Sequence, residues 1–479
     1  MPEVIIVGGG IAGLAAAEHL KDGAAARGRD IDLLVLEKQE RVGGKIVTER
    51  RGGFLIEGGP DSFLPEKVWT VNLAESVGLG PEMLPSNDCH KGTFIYSRAR
   101  LHPLPEGVML MVPTAFRPMA ASRLISWPGK LRMGMELFIP IRPDNGDESL
   151  ASFVTRRLGK ECLERIAEPL VAGIHTSDPD EMSVLATFPR FVQMERQSGS
   201  LIRGMLASMR KRRRAQPAGP RREEAQPASG RSAMTYFMSF KEGMESLPRS
   251  CATFLGNDSI RLGAAAASIE RKGAGYAVVL ESGEILEAKQ VILATPSYES
   301  ARLVRGLDAD LAAQLDRIAW TSVATVSLAF KRGDFRAPLG GFGFIVPRTE
   351  GRRINAATYS SLKWSYRAPE DHLLLRCFVG GGHHEELVDE LDDSHMTRTV
   401  LEELDAILGL AADPQLTRIF RWPRGMPKYT IGHLDRMAAL ERSAGAHPSL
   451  GLVGSSYRGI GIGDCIHEAQ LAAERILGE

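Results

Sequence analysis

Val4-Ile5-Ile6-Val7 is a short apolar run that runs directly into Gly8-Gly9-Gly10-Ile11-Ala12-Gly13. A run this short and this apolar suits a strand buried on both faces. The glycines supply G-x-G-x-x-G, and a helical pattern continues from Ile11 to about Ala26. A second strand, Ile31 to Leu36, ends in Glu37. Few folds accept this order. Gly8 allows a tight turn, Gly10 lets a pyrophosphate approach the backbone, and Gly13 lets helix and strand pack closely. The helix start at Ile11 and Ala12 offers unpaired N–H groups and the positive end of a dipole. Glu37, with Lys38 after it, stands where a carboxylate binds ribose hydroxyls. The unit predicts a bound dinucleotide. The competing reading is a glycine-rich turn in an ordinary βαβ unit.

FAD rather than NAD follows from the next two segments. Arg41-Val42-Gly43-Gly44-Lys45 carries paired glycines and basic side chains a few residues past the ribose acid. Such a loop can reach the same pyrophosphate. Gly52 to Pro60 then brings Gly58 and Gly59, which permit close backbone approach to a flat ring. A pair of β-turns is the plainer reading of that stretch.

At 479 residues the chain has room for two or three domains. Its 59 basic and 59 acidic residues balance, which argues against a nucleic-acid partner. The five cysteines are scattered, with no metal or redox spacing, so reduced thiols and no metal are expected. The apolar start lacks a basic n-region and a cleavage site, and no run of 18 apolar residues occurs. A cytoplasmic location is therefore expected.

The segments suggest an α/β fold. Residues 1–90, 236–305 and 435–479 form a discontinuous Rossmann-like FAD-binding domain. Residues 306–434 form a mixed-sheet substrate domain, with strand-like runs at Val323–Phe330, Phe342–Val346, Ile354–Tyr359 and Leu373–Val379 and a helix at Met396–Leu408. Residues 91–235 form a helical lobe. Within it, Leu101 to Arg142 is apolar, with Arg117, Arg123, Lys130, Arg132 and Arg142 outnumbering the acids. This fits a surface peripheral to a membrane, a mouth for an apolar substrate, or a subdomain packing its own core. Residues 211–232 read as a flexible basic loop. A glycine-rich turn, Gly454 to Asp464, leads into a closing helix whose N-terminus can hold negative charge on a reduced flavin.

Taken together, the segments resemble the FAD-dependent protoporphyrinogen oxidase family, which belongs with the amine oxidases and carotenoid desaturases. The specific matches are Glu168-Pro169-Leu170-Val171-Ala172-Gly173-Ile174, Phe240-Lys241-Glu242-Gly243-Met244-Glu245-Ser246-Leu247-Pro248, Met426-Pro427-Lys428-Tyr429, Gly432-His433 and Gly459 to Ile466. The resemblance implies six-electron oxidation of protoporphyrinogen IX to protoporphyrin IX in haem biosynthesis, with FAD as hydride acceptor and O2 reduced to H2O2. The alternative substrate is coproporphyrinogen III, because Leu101 to Gly107 and Thr187 to Pro189 look closer to the Gram-positive type. A flavin amine oxidase, a carotenoid desaturase or a non-catalytic carrier are the rival readings.

Carried over by position, the flavin contacts are Gly8, Gly10, Ile11, Ala12, Gly13, Glu37, Lys38, Arg41, Gly44, Lys45, Gly58, Gly59, Pro60, Ala266, Ile460, Gly461 and Ile462. Gly173, Ile174, Leu339, Asn355 and Phe378 match substrate-contact positions. Asn355 departs from the leucine of plant-type members. Where plant and animal members carry a propionate-pairing arginine this chain has Thr93; Lys91, Arg98 or Arg100 is the candidate substitute, and an ordinary surface charge is the plainer reading of each. The resemblance also leaves room for a homodimer and for hand-over of product to a chelatase.

Overall fold

The structure is a computed structural model that describes residues 2–90, 92–109, 112–113, 116–144, 146–215, 236–382 and 384–478. Five short strands form a parallel sheet in the order Ile260–Arg261, Leu33–Leu36, Val4–Val7, Gln290–Leu293, Leu450–Leu452. Its side chains alternate between two cores. Val4, Ile6, Leu33, Val35 and Ile292 meet the helices Ile11–Ala25 and Ile462–Leu477. Ile5, Val7, Leu36, Val291 and Leu293 meet the opposite layer, which includes the antiparallel sheet of strands Ala266–Lys272, Gly275–Leu280 and Ile285–Ala288. Cover on both faces is why every residue of Val4–Val7 is buried.

Helices Ile11–Ala25 and Ile462–Leu477 run parallel. Gly23, near the end of the first, lies against Leu477, and Ala12, at its start, lies against Gly454 in the turn before the second. Each helix follows a strand of the parallel sheet, so both N-termini open at the carboxyl edge of the strands. That edge is where open α/β sheets bind ligands.

The second sheet is mixed, in the order Leu416–Pro427, Trp320–Lys331, His372–Gly380, Ala356–Tyr359, Gly343–Ile345, Phe94–Ser97, Arg100–Pro103. One face is apolar: Ala324, Val326, Leu328, Leu375, Cys377 and Val379 pack under Met396, Val400 and Leu404 of helix Asp393–Leu408. The other face carries Thr325, Ser327, Arg376 and Phe378 and looks toward the flavin domain and the helical lobe. Three strands depart from the expectation. Leu416–Pro427 was not foreseen, because its arginines and prolines mask an edge strand. Residues 94–103, expected at the start of the helical lobe, extend this sheet as a hairpin. Its two-residue turn is Arg98-Ala99, at φ 54° and 56°. Hairpins need that left-handed geometry, but glycine and asparagine are its usual sequence signals.

The lobe gathers Phe153, Leu158, Ile166, Phe188 and Leu201 into its own core. The Arg157 guanidinium is fully buried there. It donates to Glu136, which also accepts the Ser200 hydroxyl and the Leu201 N–H and so caps helix Leu201–Ala215. Residues 211–215 continue that helix rather than starting a loop, as arginine, lysine and alanine favour. The rest of the expected loop, 216–232, lies outside the described residues. Of the apolar 101–142 stretch, Leu124, Ile125 and Met133 are buried, whereas Trp127, Leu131, Met135 and Phe138 are 54–80% exposed along one ridge. No helix among the described residues is long and apolar enough to cross a membrane.

Candidate active site

The first glycine turn divides its work between fold and ligand. Gly8 has φ +112°, a conformation that side chains rarely adopt. A Cβ on Gly13 would stand 2.0 Å from the Gly8 carbonyl oxygen, so this glycine is demanded by helix–strand packing. Gly10 differs. Its φ of −71° suits any residue, and a Cβ there would meet nothing within 4 Å. Space is kept open above Gly10 for something other than protein. The buried Glu37 carboxylate accepts the Gly9 and Gln39 N–H groups at 2.8 and 2.9 Å. A carboxylate accepts about four hydrogen bonds, which leaves capacity for ribose hydroxyls.

The second loop docks on the first. The Gly43 N–H donates to the Gly9 carbonyl at 2.8 Å, and Gly44, at φ +56°, sits against Gly10. Arg41 spends its guanidinium on the carbonyls of Val42, Gly44 and Ile46. It braces the loop, a role the sequence did not suggest. Lys38 is exposed. Lys45 extends toward the mixed sheet, where its ammonium donates to the Gly425 carbonyl and lies 4.7 Å from the Trp320 ring. Among the described residues it has no carboxylate partner, and burial pulls its pKa from 10.5 down to about 8. A half-buried ammonium without a carboxylate partner among the described residues, the open space above Gly10 and two helix N-termini at one sheet edge fit the anionic groups of FAD. At the closing turn, Gly461 is the N-cap, with Ile460 before it and Ile462 as the first helical residue, all half-buried. Ala266 begins its strand near Glu37, since Ala264 N–H donates to the Glu37 carbonyl, but its own carbonyl is taken by Arg302.

Gly58 and Gly59 cross the open face of the mixed sheet. The Gly58 carbonyl accepts from Thr325 Oγ1 at 3.1 Å and Trp422 Nε1 at 2.9 Å, and the Gly59 carbonyl accepts from Arg376. A Cβ on Gly59 would stand 1.7 Å from the Lys45 carbonyl oxygen, and one on Gly58 would strike the Phe420 ring. These glycines are therefore required by chain-on-chain packing as such, whatever approaches Pro60 beyond them. Around them Glu57, Asp61, Lys363, Arg367 and Arg376 form a buried charged cluster. Desolvation raises Glu57 to about 7 against the pull of Arg367, while Lys363 and Arg376 hold Asp61 well below the usual carboxylate range despite its burial.

Strand register extends this face into a continuous row. Thr325 pairs with Phe378, Phe378 with Ala356, and Ala356 with Ile345. Directly paired residues point to one face. The row runs three strand spacings, about 14 Å, from the loop at Gly58 to helix Glu168–His175, where the Cβ position of Gly173 lies 3.8 Å from Ile345. Phe378 is half-exposed although its strand neighbours are buried. Asn355 precedes the row, with its N–H on the Phe378 carbonyl at 2.9 Å and its amide on the Gly380 carbonyl. It lines a cleft with Glu168, Thr176, Arg348, Arg352 and His384. Burial lifts the Glu168 carboxyl to about 7, opposed by the Arg348 N–H and guanidinium.

The structure thus groups Gly173, Asn355 and Phe378. The backbone of Ile174 lies on the same helix as Gly173. Leu339 stands apart, packed on the core of the opposite sheet face. Arg98 and Arg100 are exposed on the edge hairpin and do not line the cleft; Arg98 lies 3.9 Å from Glu161. Lys91 lies outside the described residues. The cleft's arginines are Arg348, paired with Asp178 and Asp180, and Arg352, which donates to the Tyr96 hydroxyl and lies 3.6 Å from Glu403; sequence reasoning missed both, as it missed Thr325, Arg376 and Trp422. Only strand pairing brings them here, and no local motif signals it. No group of three or more metal-ligating side chains occurs among the described residues.

Comparison with known proteins agrees with this geometry. The flavin-containing amine oxidoreductase family matches residues 11–477. The coproporphyrinogen III oxidase of Bacillus subtilis (strain 168) is 34% identical over 99% of this chain and 97% of its own length. The chloroplastic protoporphyrinogen oxidase of Oryza sativa subsp. japonica is 31% identical over 99% of this chain and 88% of its own. A crystal structure from Exiguobacterium sp. 255-15, assigned as a protoporphyrinogen oxidase, superposes with a TM-score of 0.83 at 33% identity, covering 99% and 98% of the two chains. FAD is the cofactor that this cradle serves. The chain belongs to the flavin-containing amine oxidoreductase family, within its protoporphyrinogen and coproporphyrinogen oxidase branch.

Proposed function

We propose that this protein oxidises a porphyrinogen to its porphyrin with O2 as final acceptor, and that coproporphyrinogen III is the substrate. The observation that carries the reaction is the row Thr325-Phe378-Ala356-Ile345, which makes a half-apolar floor between the flavin loop and Gly173. A flat tetrapyrrole suits such a floor. Bound FAD supplies a two-electron hydride acceptor that O2 restores with release of H2O2. Three such cycles balance six electrons: one porphyrinogen and three O2 give one porphyrin and three H2O2. The protein's part is to orient the macrocycle and exclude water. Thr325, Trp422 and Arg376 fix the loop on one side of the floor, and Phe378 and Ile345 present apolar surface to the ring. The choice of coproporphyrinogen III, over protoporphyrinogen IX as the second reading, is supported by the names of the relatives at 32–34% identity.

The test is porphyrin fluorescence in air with purified holoprotein and each porphyrinogen in turn. Faster turnover of coproporphyrinogen III is expected. Preference for protoporphyrinogen IX overturns the substrate assignment. No turnover of either, with no anaerobic bleaching of the flavin, overturns the reaction.

We further propose a peripheral, cytoplasmic-face membrane contact through Trp127, Leu131, Met135 and Phe138. Lys130 lies 4.5 Å from the Trp127 ring, and Arg117 and Arg123 are exposed on the same stretch, so an anionic lipid surface is the matching occupant. Co-sedimentation with phosphatidylglycerol vesicles should be lost in a Trp127→Ser/Phe138→Ser variant. Equal binding by that variant, or no binding by the parent protein, refutes the contact.

A further inference from the structure

The turn that leads into the closing helix is held by two side chains from outside the flavin domain's sheet. Tyr429 and His433 lie just past the edge strand Leu416–Pro427 of the mixed sheet. Their rings stack at 3.9 Å with a 14° tilt, and both are buried. The Tyr429 hydroxyl donates to the Ser455 carbonyl and accepts the Gly459 N–H, each at 2.8 Å. His433 Nε2 lies 2.7 Å from the Tyr457 carbonyl. A carbonyl only accepts, so Nε2 carries the proton. Burial, the largest influence, holds the ring neutral, with a pKa near 4. The stacked pair therefore grips main-chain groups of residues 455, 457 and 459 in alternation, as a neighbouring strand would.

A second clamp acts from the other side. Asp464 accepts the Gly461 N–H at 3.3 Å and pairs with Lys67 at 2.6 Å. Gly459, at φ +153°, is pressed so close to Asp464 that a Cβ would stand 2.4 Å from the Asp464 Cβ. Strand Leu450–Leu452 and helix Ile462–Leu477 are already fixed by their own packing. Connecting them needs no such double grip. Fixing a ligand-facing main chain to within a fraction of an ångström does.

We propose that Tyr429 and His433 are positioning residues that mould the Ser455–Gly461 turn against the flavin and tie its position to the edge strand of the substrate sheet. The inference rests on the reading that residues 460–462 line the flavin. Substrate-domain strand and flavin turn then move as one unit.

The experiment compares Tyr429→Phe, His433→Gln, His433→Leu, Gly461→Val and Leu404→Ala as purified holoproteins. Readouts are FAD affinity, the flavin absorbance spectrum, its midpoint potential, and kcat and KM. Tyr429→Phe keeps the ring and loses both hydroxyl bonds, so FAD affinity should fall about tenfold or more. The spectrum and potential should shift, kcat should fall, and KM should hold. His433→Gln retains an N–H donor and should lie closer to the parent protein than His433→Leu. Leu404→Ala, in the core on the far side of the mixed sheet, should lower Tm with the potential unchanged. Parent-like affinity, spectrum and potential in Tyr429→Phe overturn the inference. So does a potential shift in Leu404→Ala equal to that of Tyr429→Phe. Gly461→Val tests the underlying reading separately: retention of FAD at parent affinity removes the flavin from this turn, whatever Tyr429→Phe does.

Discussion

Two glycines three residues apart should fail in different ways. In Gly10→Ala the new Cβ enters space that the protein leaves empty, at a backbone conformation open to alanine. Replacing glycine by alanine at such a site gains about 0.4–1 kcal/mol from the unfolded chain. Alanine is the poorer N-cap by up to about 1 kcal/mol. The two nearly cancel, so flavin-free Gly10→Ala should melt within a few degrees of the parent. Its methyl stands where the pyrophosphate approaches the backbone. Losing one charge-assisted hydrogen bond costs about 1.5–3 kcal/mol, or about 10- to 150-fold in Kd. In Gly13→Ala the Cβ would stand 2.0 Å from the Gly8 carbonyl oxygen, and helix and strand must separate. Overpacking of this kind costs about 1–3 kcal/mol or more, and Gly13→Val should abolish FAD retention outright. The assay is thermal melting of the flavin-free proteins beside fluorescence titration with FAD. Gly10→Ala should lose affinity alone, and Gly13→Ala both. Parent-like FAD affinity in Gly10→Ala, or equal Tm losses in the two alanine variants, would refute the division of labour.

Lys45 gives a pH signature. Its flavin-free pKa is near 8, and an anionic ligand favours the charged form, so FAD affinity should fall as pH rises above about 8; Lys45→Met should flatten that dependence in titrations from pH 7 to 9.5. His433 has its folded pKa near 4, below the ordinary 6.5. Between these values the unfolded chain binds the extra proton, so stability should fall as pH drops through that window, and Tm should fall less steeply in His433→Gln. Arg157→Met should destabilise the lobe by about 3–5 kcal/mol in denaturant unfolding, because it leaves Glu136 buried without its cation. A loss under about 1 kcal/mol would mean that Glu136 is served by Ser200 and Leu201 alone.

What the sequence reveals depends on whether the chemistry is local. Val4–Val7, the first glycine turn and Glu37 are contiguous, and each residue's task is set by neighbours within one βαβ unit. That part was legible down to the packing demand at Gly13 and the open space at Gly10. The substrate floor is not contiguous. Thr325, Phe378, Ala356 and Ile345 become neighbours only through pairing of four strands, and a slip of one residue in any of them would turn its member to the other face. The same dependence displaced the cations. Lys91, Arg98 or Arg100 was expected to meet a propionate because each lies near Thr93, but a left-handed turn carries Arg98 to the sheet edge, and the arginines that do line the cleft, Arg348 and Arg352, come from a loop with no motif and pair with protein groups. Gly58 and Gly59 show a subtler limit. Their presence was legible, yet the reason was not, because the atoms that forbid a Cβ belong to Phe420 and Lys45, far away in the chain or on another loop. Specificity toward the carboxylates of the substrate should therefore follow the register of the mixed sheet more than the identity of any one motif. Placing a cation at Thr93 should change substrate preference only if position 93 faces the floor. The neighbouring residue Phe94 pairs with Phe344, one step from Ile345, and Ile95 pairs with Ile345 itself. Position 93 lies two residues before Ile95 along the strand direction and so shares the floor's face. The Thr93→Arg protein should keep turnover and shift toward the substrate with fewer carboxylates. Unchanged preference, read by porphyrin fluorescence with the two porphyrinogens, would show that position 93 meets no carboxylate.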